Sequence, residues 1–241
     1  MPGEGGDDTE MSLFVIGDTH LSLSGNKSME VFGGRWQNYV EKLLEGFSLV
    51  SPEDTTVLCG DLSWGMDLEE AKADFLFLHE RLPGRKIIVK GNHDYWWSTA
   101  AKITRFFQDN GIDDMELLHN NALSYGDYAL CGTRGWCFEE EGSPEEHDLK
   151  VLRRELLRLE ASLKAAGDRE KLVFLHYPPK LVNSECREIV ELLVSYGVRS
   201  CWYGHLHSAG RALGFQGEYR GIRFSLISAD HLMFFPKKIL P

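Results

Sequence analysis

The chain has 241 residues and a formal net charge of −11, and this acidic balance argues against nucleic acid or an anionic membrane as an obligatory partner. Hydrophobic residues make up 43% and charged residues 26%, as in ordinary globular proteins, and no apolar segment is long enough to cross a membrane. The five cysteines form no C-x-x-C motif and favour a reducing compartment, which predicts a cytoplasmic protein.

Residues 1–10 are rich in glycine and acidic side chains and lack the basic and apolar regions of a signal peptide. We expect these residues to form a disordered tail. Residues 11–241 contain no internal repeat, low-complexity block or linker, so we expect them to form a single domain.

Strands alternate with helices in the first half of the chain. Short apolar runs predict strands at residues 12–16, 55–59 and 85–90. Apolar residues at helical spacing and N-cap residues predict helices at residues 36–50, from Asp67 to 82, and from Ser98 to about 110. Residues 21–35 are rich in Gly and Ser and predict a loop, which is a candidate rim or lid.

The second half is richer in predicted strands. Residues 115–136 predict paired short strands with a turn near residues 125–127, and further strands are expected at residues 171–175, 199–203 and 223–228. Helices are predicted from Ser143 to about Gly167 and at residues 184–196. The pattern predicts a layered α/β fold whose central sheets are covered by helices.

Polar residues gather where these strands end, which is the place where open α/β sheets build their sites. The set comprises Asp18, His20, Asp61, Asn92, His93, His176, His205 and His207. Imidazole and carboxylate together suit Zn, Fe or Mn, and the lack of cysteine in the set disfavours a structural thiolate zinc site. The donors are too many for one ion, so we expect two ions that share the Asp61 carboxylate as a bridge.

Two metals roughly 3.5–4 Å apart clamp a phosphoryl group and lower the pKa of a bound water. The order of the motifs is informative: Asp-x-His, Gly-Asp, Gly-Asn-His-Asp, a lone His and Gly-His-x-His follow one another from Asp18 to His207. In this order they resemble the calcineurin-like metallophosphoesterase superfamily. The resemblance implies a four-layer α-β-β-α sandwich with a dinuclear metal site at the carboxyl ends of the strands.

The resemblance also implies roles for individual residues. One metal would be held by Asp18, His20, Asp61 and His207, and the other by Asp61, Asn92, His176 and His205. His93 would donate a proton to the leaving oxygen or stabilise the phosphoryl charge, and Asp94 would hydrogen-bond His93 and keep it oriented. Asn92 and His93 would also contact the substrate.

The implied activity is that of a metal-dependent phosphohydrolase, in which metal-bound hydroxide attacks a small phosphate ester in line. Monoesters and diesters both fit, and the ester could be nucleotide-like. The chain has no arginine in the run that follows Gly60-Asp61, unlike the protein Ser/Thr phosphatases, so protein phosphatase activity is not expected. Arg134, which lies between glycines after a predicted strand, is a candidate for the missing phosphate contact.

The sequence leaves two questions open, the role of Trp64 and whether the chain is an enzyme at all. Trp64 lies near the predicted site, where it either stacks on a nucleobase or packs as part of the protein. The chain could also be a metal-binding interaction scaffold of the same fold with little or no catalysis. No predicted ligand position is missing, which favours the enzyme, while His231 is left without a role.

Overall fold

Two β-sheets pack face to face between two layers of helices. The computed structural model describes residues 11–25, 27–136 and 146–241. Its strands are β1 Leu13–Ile16, β2 Thr55–Cys59, β3 Arg85–Val89, β4 Met115–Leu117, β5 Ala122–Tyr125, β6 Tyr128–Thr133, β7 Glu170–Leu175, β8 Ser200–Tyr203, β9 Gly217–Tyr219, β10 Ile222–Leu226 and β11 Lys237–Leu240. Its α-helices are α1 Tyr39–Phe47, α2 Lys72–Arg81, α3 Ala100–Asp109, α4 Glu146–Ala165 and α5 Arg187–Ser195.

Both sheets are mainly parallel. The first has the order β11-β1-β2-β3-β4, in which only β11 runs antiparallel, and the second has the order β5-β6-β7-β8-β10-β9, with antiparallel strands at its two edges. Gly17, just after β1, forms a parallel bridge with Ser228, just after β10. The two sheets therefore meet where the central strands of each have their carboxyl ends.

The alternation of side chains along the strands creates three apolar cores. In β1, Leu13 and Val15 point between the sheets, whereas Phe14 and Ile16 point toward α1, α2 and α3. In β7, Phe174 likewise points between the sheets, while neighbouring side chains face α4 and α5. These three cores separate four layers, which confirms the predicted α-β-β-α sandwich.

The structure corrects several predicted boundaries. Helix α1 begins at Tyr39 rather than at residue 36, because the segment Gly34–Trp36 forms a 3₁₀ turn that buries Trp36. Asp67 caps the turn before α2 by accepting two backbone N–H bonds, and α2 itself begins at Lys72. The N-cap of α3 is Thr99 and not Ser98.

The remaining differences concern strands and undescribed segments. β4 was expected to pair within its own hairpin, but it joins β3, and the short edge strands β9 and β11 were not expected. The expected tail at residues 1–10 and the helix start at residues 143–145 lie outside the described residues. The single domain over residues 11–241 stays a prediction. Among the described helices, none combines the length and apolarity that a membrane crossing requires.

Candidate metal centre

The loops that follow the central strands approach each other so closely that glycine is required between them. A Cβ on Gly91, after β3, would lie 2.1 Å from Asp61 Oδ1 and 2.2 Å from the Asp61 backbone nitrogen. A Cβ on Gly204, after β8, would lie 2.6 Å from Asp18 Oδ2. All three distances are shorter than the 3.0 Å below which real Cβ atoms essentially never make contacts. The Gly residues of the motifs thus let two pairs of loops touch at the candidate centre.

Four predicted ligands adopt the left-handed backbone conformation that non-glycine residues rarely use. The φ angles are 56° for Asp18, 46° for His20, 52° for Asp61 and 70° for His205. Each such residue costs roughly 1–2 kcal/mol relative to the right-handed region. The Asp18 N–H donates to the Gly60 carbonyl at 2.9 Å, and the His20 N–H donates to the Asp61 carbonyl at 2.9 Å. Strain of this kind, held by surrounding contacts, is characteristic of functional sites.

His176 is fully buried and faces other electron-pair donors. Its Nδ1–H donates to the Cys59 carbonyl at 3.0 Å, which leaves a lone pair on Nε2. Burial lowers the pKa of His176 well below its usual range, so the ring is neutral. Yet the neighbours of Nε2 are Asn92 Oδ1 at 2.6 Å and Asp61 Oδ2 at 3.4 Å, which are both acceptors. A cation between these atoms would satisfy all three lone pairs.

His205 closes the same side of the centre. Its backbone N–H donates to the Asp18 carboxylate at 2.9 Å, and its Nδ1 lies 2.9 Å from Asn92 Oδ1. The ring of Tyr177 packs against the His205 ring with a centroid distance of 4.2 Å. His205 thus contacts residues from the loops after β1 and β3, and the ligand roles of these residues stay predictions.

The two predicted anionic ligands lie side by side in the interior. One donor atom from each of Asp18, Asp61 and His176 lies within 4.8 Å of the other two, a spacing that a metal ion can span. Burial, and next the nearby Asp61 charge, raise the pKa of Asp18 well above its usual range. Burial also raises the pKa of Asp61. A bound cation would counter the cost of burying this pair of carboxylates.

His20 and His207 form the opposite side of the centre. Both ring nitrogens of the buried His20 and Nδ1 of His207 lack a hydrogen-bond partner in the described structure. His20 Nε2 lies 3.8 Å from Asp61 Oδ2, and the two imidazole rings meet edge to face at 5.1 Å. Unpaired buried polar atoms cost about 1–3 kcal/mol each unless a ligand satisfies them. A cation bound beside Asp61 would satisfy the free Nε2 of His20, while the donors that lie within 4.8 Å of one another are Asp18, Asp61 and His176.

His93 lies beside the donor cluster, with its ring 5.9 Å from the His20 ring and 4.7 Å from that of Trp64. Its backbone N–H donates to Asp61 Oδ1 at 2.7 Å, and Nδ1 lies 3.2 Å from the Tyr95 hydroxyl. The ring thus lies at the edge of the centre, beside His20 and Trp64. Its role as a proton donor stays a prediction.

Asp94 is buried and ties the loops together. Its carboxylate accepts hydrogen bonds from the backbone N–H groups of Gly91, Asp61 and Leu62 and from the indole of Trp96, at 2.7–3.0 Å. Burial is the main reason that its pKa rises to about 7. These contacts fix the Asp61 and Gly91 loops relative to each other. The predicted orientation of His93 by Asp94 stays a prediction.

Arg134 lies behind the centre. Its backbone carbonyl accepts from the N–H groups of His176 and Tyr177 at 3.1 and 2.9 Å. Its guanidinium lies 3.5 Å from the buried Glu155 carboxylate, and the side chain is 17% exposed. Arg134 therefore positions the loop that carries His176, while its contact with substrate stays a prediction.

Two neighbours of the centre were not identified from the sequence. Trp36 is buried, sits edge-on to the rings of His20 and His207, and donates its indole N–H to Ser208 Oγ at 3.3 Å. Asp230 is buried, accepts from the Ser208 N–H at 2.7 Å, and has an Oδ1 atom without a partner in the described structure. The only sequence signal for Asp230 was its position after a predicted strand.

The protein is therefore an α/β protein with a candidate metal centre. Its parallel strands bring carboxylate, imidazole and amide donors together where the carboxyl ends of the two sheets meet. The sequence matches the calcineurin-like phosphoesterase family over residues 11–209, and the chain belongs to that family, which confirms the resemblance. No curated protein matches the chain.

Two solved structures show a similar fold. One is the protein of unknown function AQ665 from Aquifex aeolicus, with 17% identity, 95% coverage of both chains and a TM-score of 0.50. The other is TT1561 of Thermus thermophilus, with 17% identity, coverage of 84% of this chain and 86% of that chain, and a TM-score of 0.52. At this level of identity the likeness concerns the fold alone.

Proposed function

We propose that the chain is a phosphohydrolase that uses two divalent metal ions to cleave small phosphate esters. The observation that carries the proposal is the position of His176 Nε2, which lies 2.6 Å from Asn92 Oδ1 and 3.4 Å from Asp61 Oδ2 while the Nδ1–H of the same ring is already bound to the Cys59 carbonyl. Lone pairs that face one another repel electrostatically, and a bound cation would replace this repulsion by attraction to each of them. The membership of the family, whose members are generally hydrolases, supports the same function.

The proposed ligands divide into two sets that share Asp61. One set is Asp18, His20, Asp61 and His207, and the other is Asp61, Asn92, His176 and His205. Nitrogen and oxygen donors together suit Mn, Fe or Zn. When bound, the two ions would neutralise the charge of the phosphate and activate a water molecule for attack at phosphorus.

The remaining chemistry belongs to the chain. Only Asp18 and Asp61 among the proposed ligands carry negative charge, so the loaded centre is net positive and attracts an anionic phosphate despite the chain's charge of −11. His93 donates a proton to the leaving oxygen or a hydrogen bond to the phosphoryl group. Asn92 and His93 contact the substrate, and Asp94 holds their loop against that of Asp61 through the backbone hydrogen bonds.

Substitution of the shared carboxylate tests the proposal. Asp61→Asn keeps the shape of the side chain but removes its charge, so we expect loss of bound metal and of hydrolysis. Asp54→Asn is the matched control, because Asp54 is also buried but accepts N–H bonds from Ser12 and Ser51, outside the candidate centre. Both proteins are reconstituted with Mn²⁺, and metal content and hydrolysis of p-nitrophenyl phosphate and its bis ester are measured.

The outcomes separate the enzyme from the scaffold. Metal-dependent hydrolysis by the wild type, lost in Asp61→Asn and kept in Asp54→Asn, supports the phosphohydrolase. Bound metal without hydrolysis of either ester would favour the interaction scaffold, and retention of metal by Asp61→Asn would refute the assignment of Asp61. The ester that is cleaved faster also decides between monoester and diester preference.

The cytoplasmic location stays a prediction. It is supported by the four cysteines that the structure describes, Cys59, Cys131, Cys186 and Cys201, which are buried and form no disulfide. Burial raises the pKa of Cys131 and of Cys186 to about 11, so these thiols stay protonated and unreactive.

A further inference from the structure

An apolar cavity adjoins the candidate centre. It has a volume of about 310 Å³. Trp64, from the loop after β2, forms one wall, and the loop before α1 supplies the other lining residues: Lys27, Ser28, Met29, Val31 and Phe32. The mouth of the cavity is formed by exposed apolar side chains, since Val31 is 80% exposed and Phe32 is 65% exposed. Exposed apolar groups that cluster around a cavity mark a binding site more often than scattered ones do.

Trp64 is the wall that the cavity shares with the centre. Its indole stacks on the His20 ring at a centroid distance of 4.9 Å and an interplanar angle of 22°. It also contacts the ring of His93 at 4.7 Å. A molecule in the cavity would therefore lie one aromatic ring away from a proposed metal ligand and from the proposed proton donor.

The cavity also has a positive group at its edge. Lys27 Nζ lies 5.8 Å from the centroid of the Trp64 ring. In a chain with a net charge of −11, a lysine at this position favours ligands that combine an apolar body with an anionic group. The flat walls provided by Trp64 and Phe32 favour an aromatic body, because aromatic rings gain stabilisation from stacked or edge-to-face contacts beyond the area they bury.

We propose that this cavity holds a compact aromatic group of the substrate while the phosphate of the same ester lies at the metal centre. This inference rests on the proposed function and narrows it to phosphate esters whose organic part carries an aromatic ring, which include aryl phosphates and nucleotides. Residues 27–32 and Trp64 then select the organic part of the substrate. The loops that carry the proposed metal ligands bind the phosphate.

Calorimetric binding of two phosphonates to the Mn²⁺-loaded protein tests the inference without turnover. Phenylpropylphosphonate and propylphosphonate present the same anionic group on the same linker, which lets the ring reach past Trp64, and they differ in the aromatic ring. We expect phenylpropylphosphonate to bind at least about tenfold more tightly, and the preference to fall to about threefold or less in Phe32→Ala. Phe32 is largely exposed, so the variant should fold, and its thermal melting is measured alongside.

Leu157→Ala is the matched control, because Leu157 is a 70% exposed apolar residue on α4, which packs against the second sheet. It should keep the full preference. Equal binding of the two phosphonates by the wild type, or an unchanged preference in Phe32→Ala, would refute the aromatic site and leave the phosphohydrolase proposal standing. Hydrolysis of p-nitrophenyl phosphate reports on the proposed function independently, so absence of binding by either phosphonate refutes the aromatic site alone where hydrolysis persists and refutes both proposals where hydrolysis is also absent.

Discussion

Replacement of Gly91 by alanine is the sharpest test of how the centre is built. The new Cβ would lie 2.1 Å from Asp61 Oδ1 and 2.2 Å from the Asp61 backbone nitrogen, whereas ordinary contacts of a Cβ begin near 3.4 Å. A separation of more than 1 Å has to be created between two loops. The Asp61 backbone has little freedom to move, because its N–H is bound to Asp94 and its carbonyl accepts from His20.

The cost follows from overpacking. Added methyl groups in a well-packed interior destabilise by roughly 1–3 kcal/mol. For a chain of this size about 1 kcal/mol corresponds to a shift of 2–4 °C in Tm, so we expect a decrease of about 2–12 °C. The movement of the Asp61 carboxylate should also weaken metal binding, and a misplacement of this size costs on the order of 100-fold in rate.

Thermal melting with and without Mn²⁺, together with hydrolysis of p-nitrophenyl phosphate, measures these effects. Gly210→Ala is the control, because a Cβ there meets no atom closer than 3.9 Å and the backbone is not in the left-handed region. It should match the wild type in all three measurements. A Gly91→Ala protein with unchanged Tm and metal-dependent activity would show that the two loops do not need their close approach.

The remaining predictions concern the chemistry. His93→Ala should lower kcat by about 10²–10⁴-fold with metal content unchanged, and loss of metal would show that His93 is a ligand. Arg134→Ala should raise KM for a phosphate ester while the fold survives, because Glu155 still pairs with Arg158 and Thr133; an unchanged KM would remove Arg134 from the substrate site. Removal of metal with a chelator should lower Tm by about 11–22 °C if each of the two ions is held at 100-fold above its Kd, and an unchanged Tm would contradict binding to the folded chain.

The central strands and the motifs at their ends were predictable because both depend on local sequence. β2 has the predicted bounds of residues 55–59, since a continuous apolar run is flanked by polar residues and by Gly60. Close approaches at Gly91 and Gly204 explain why glycine stands next to the predicted ligands. The order of these motifs indicated the family, because each predicted ligand stands in the loop directly after a strand.

Features that depend on distant contacts were not predictable in the same way. Trp36 fits the helical spacing of the following residues, but its contacts with His20 and His207 place it in a 3₁₀ turn before the helix. Ser98 and Thr99 are equivalent caps by residue type, and only the backbone geometry selects Thr99. Strand β11 pairs with β1 across almost the whole chain, and its two lysines gave no local sign of a strand.

The central claim is that these residues hold two metal ions on either side of Asp61. Crystals grown with Mn²⁺ and measured for anomalous scattering test it directly. We expect two anomalous peaks, one among Asp18, His20 and His207 and the other among Asn92, His176 and His205. A map with no peak at this cluster would contradict the claim, and so would peaks found only elsewhere in the protein.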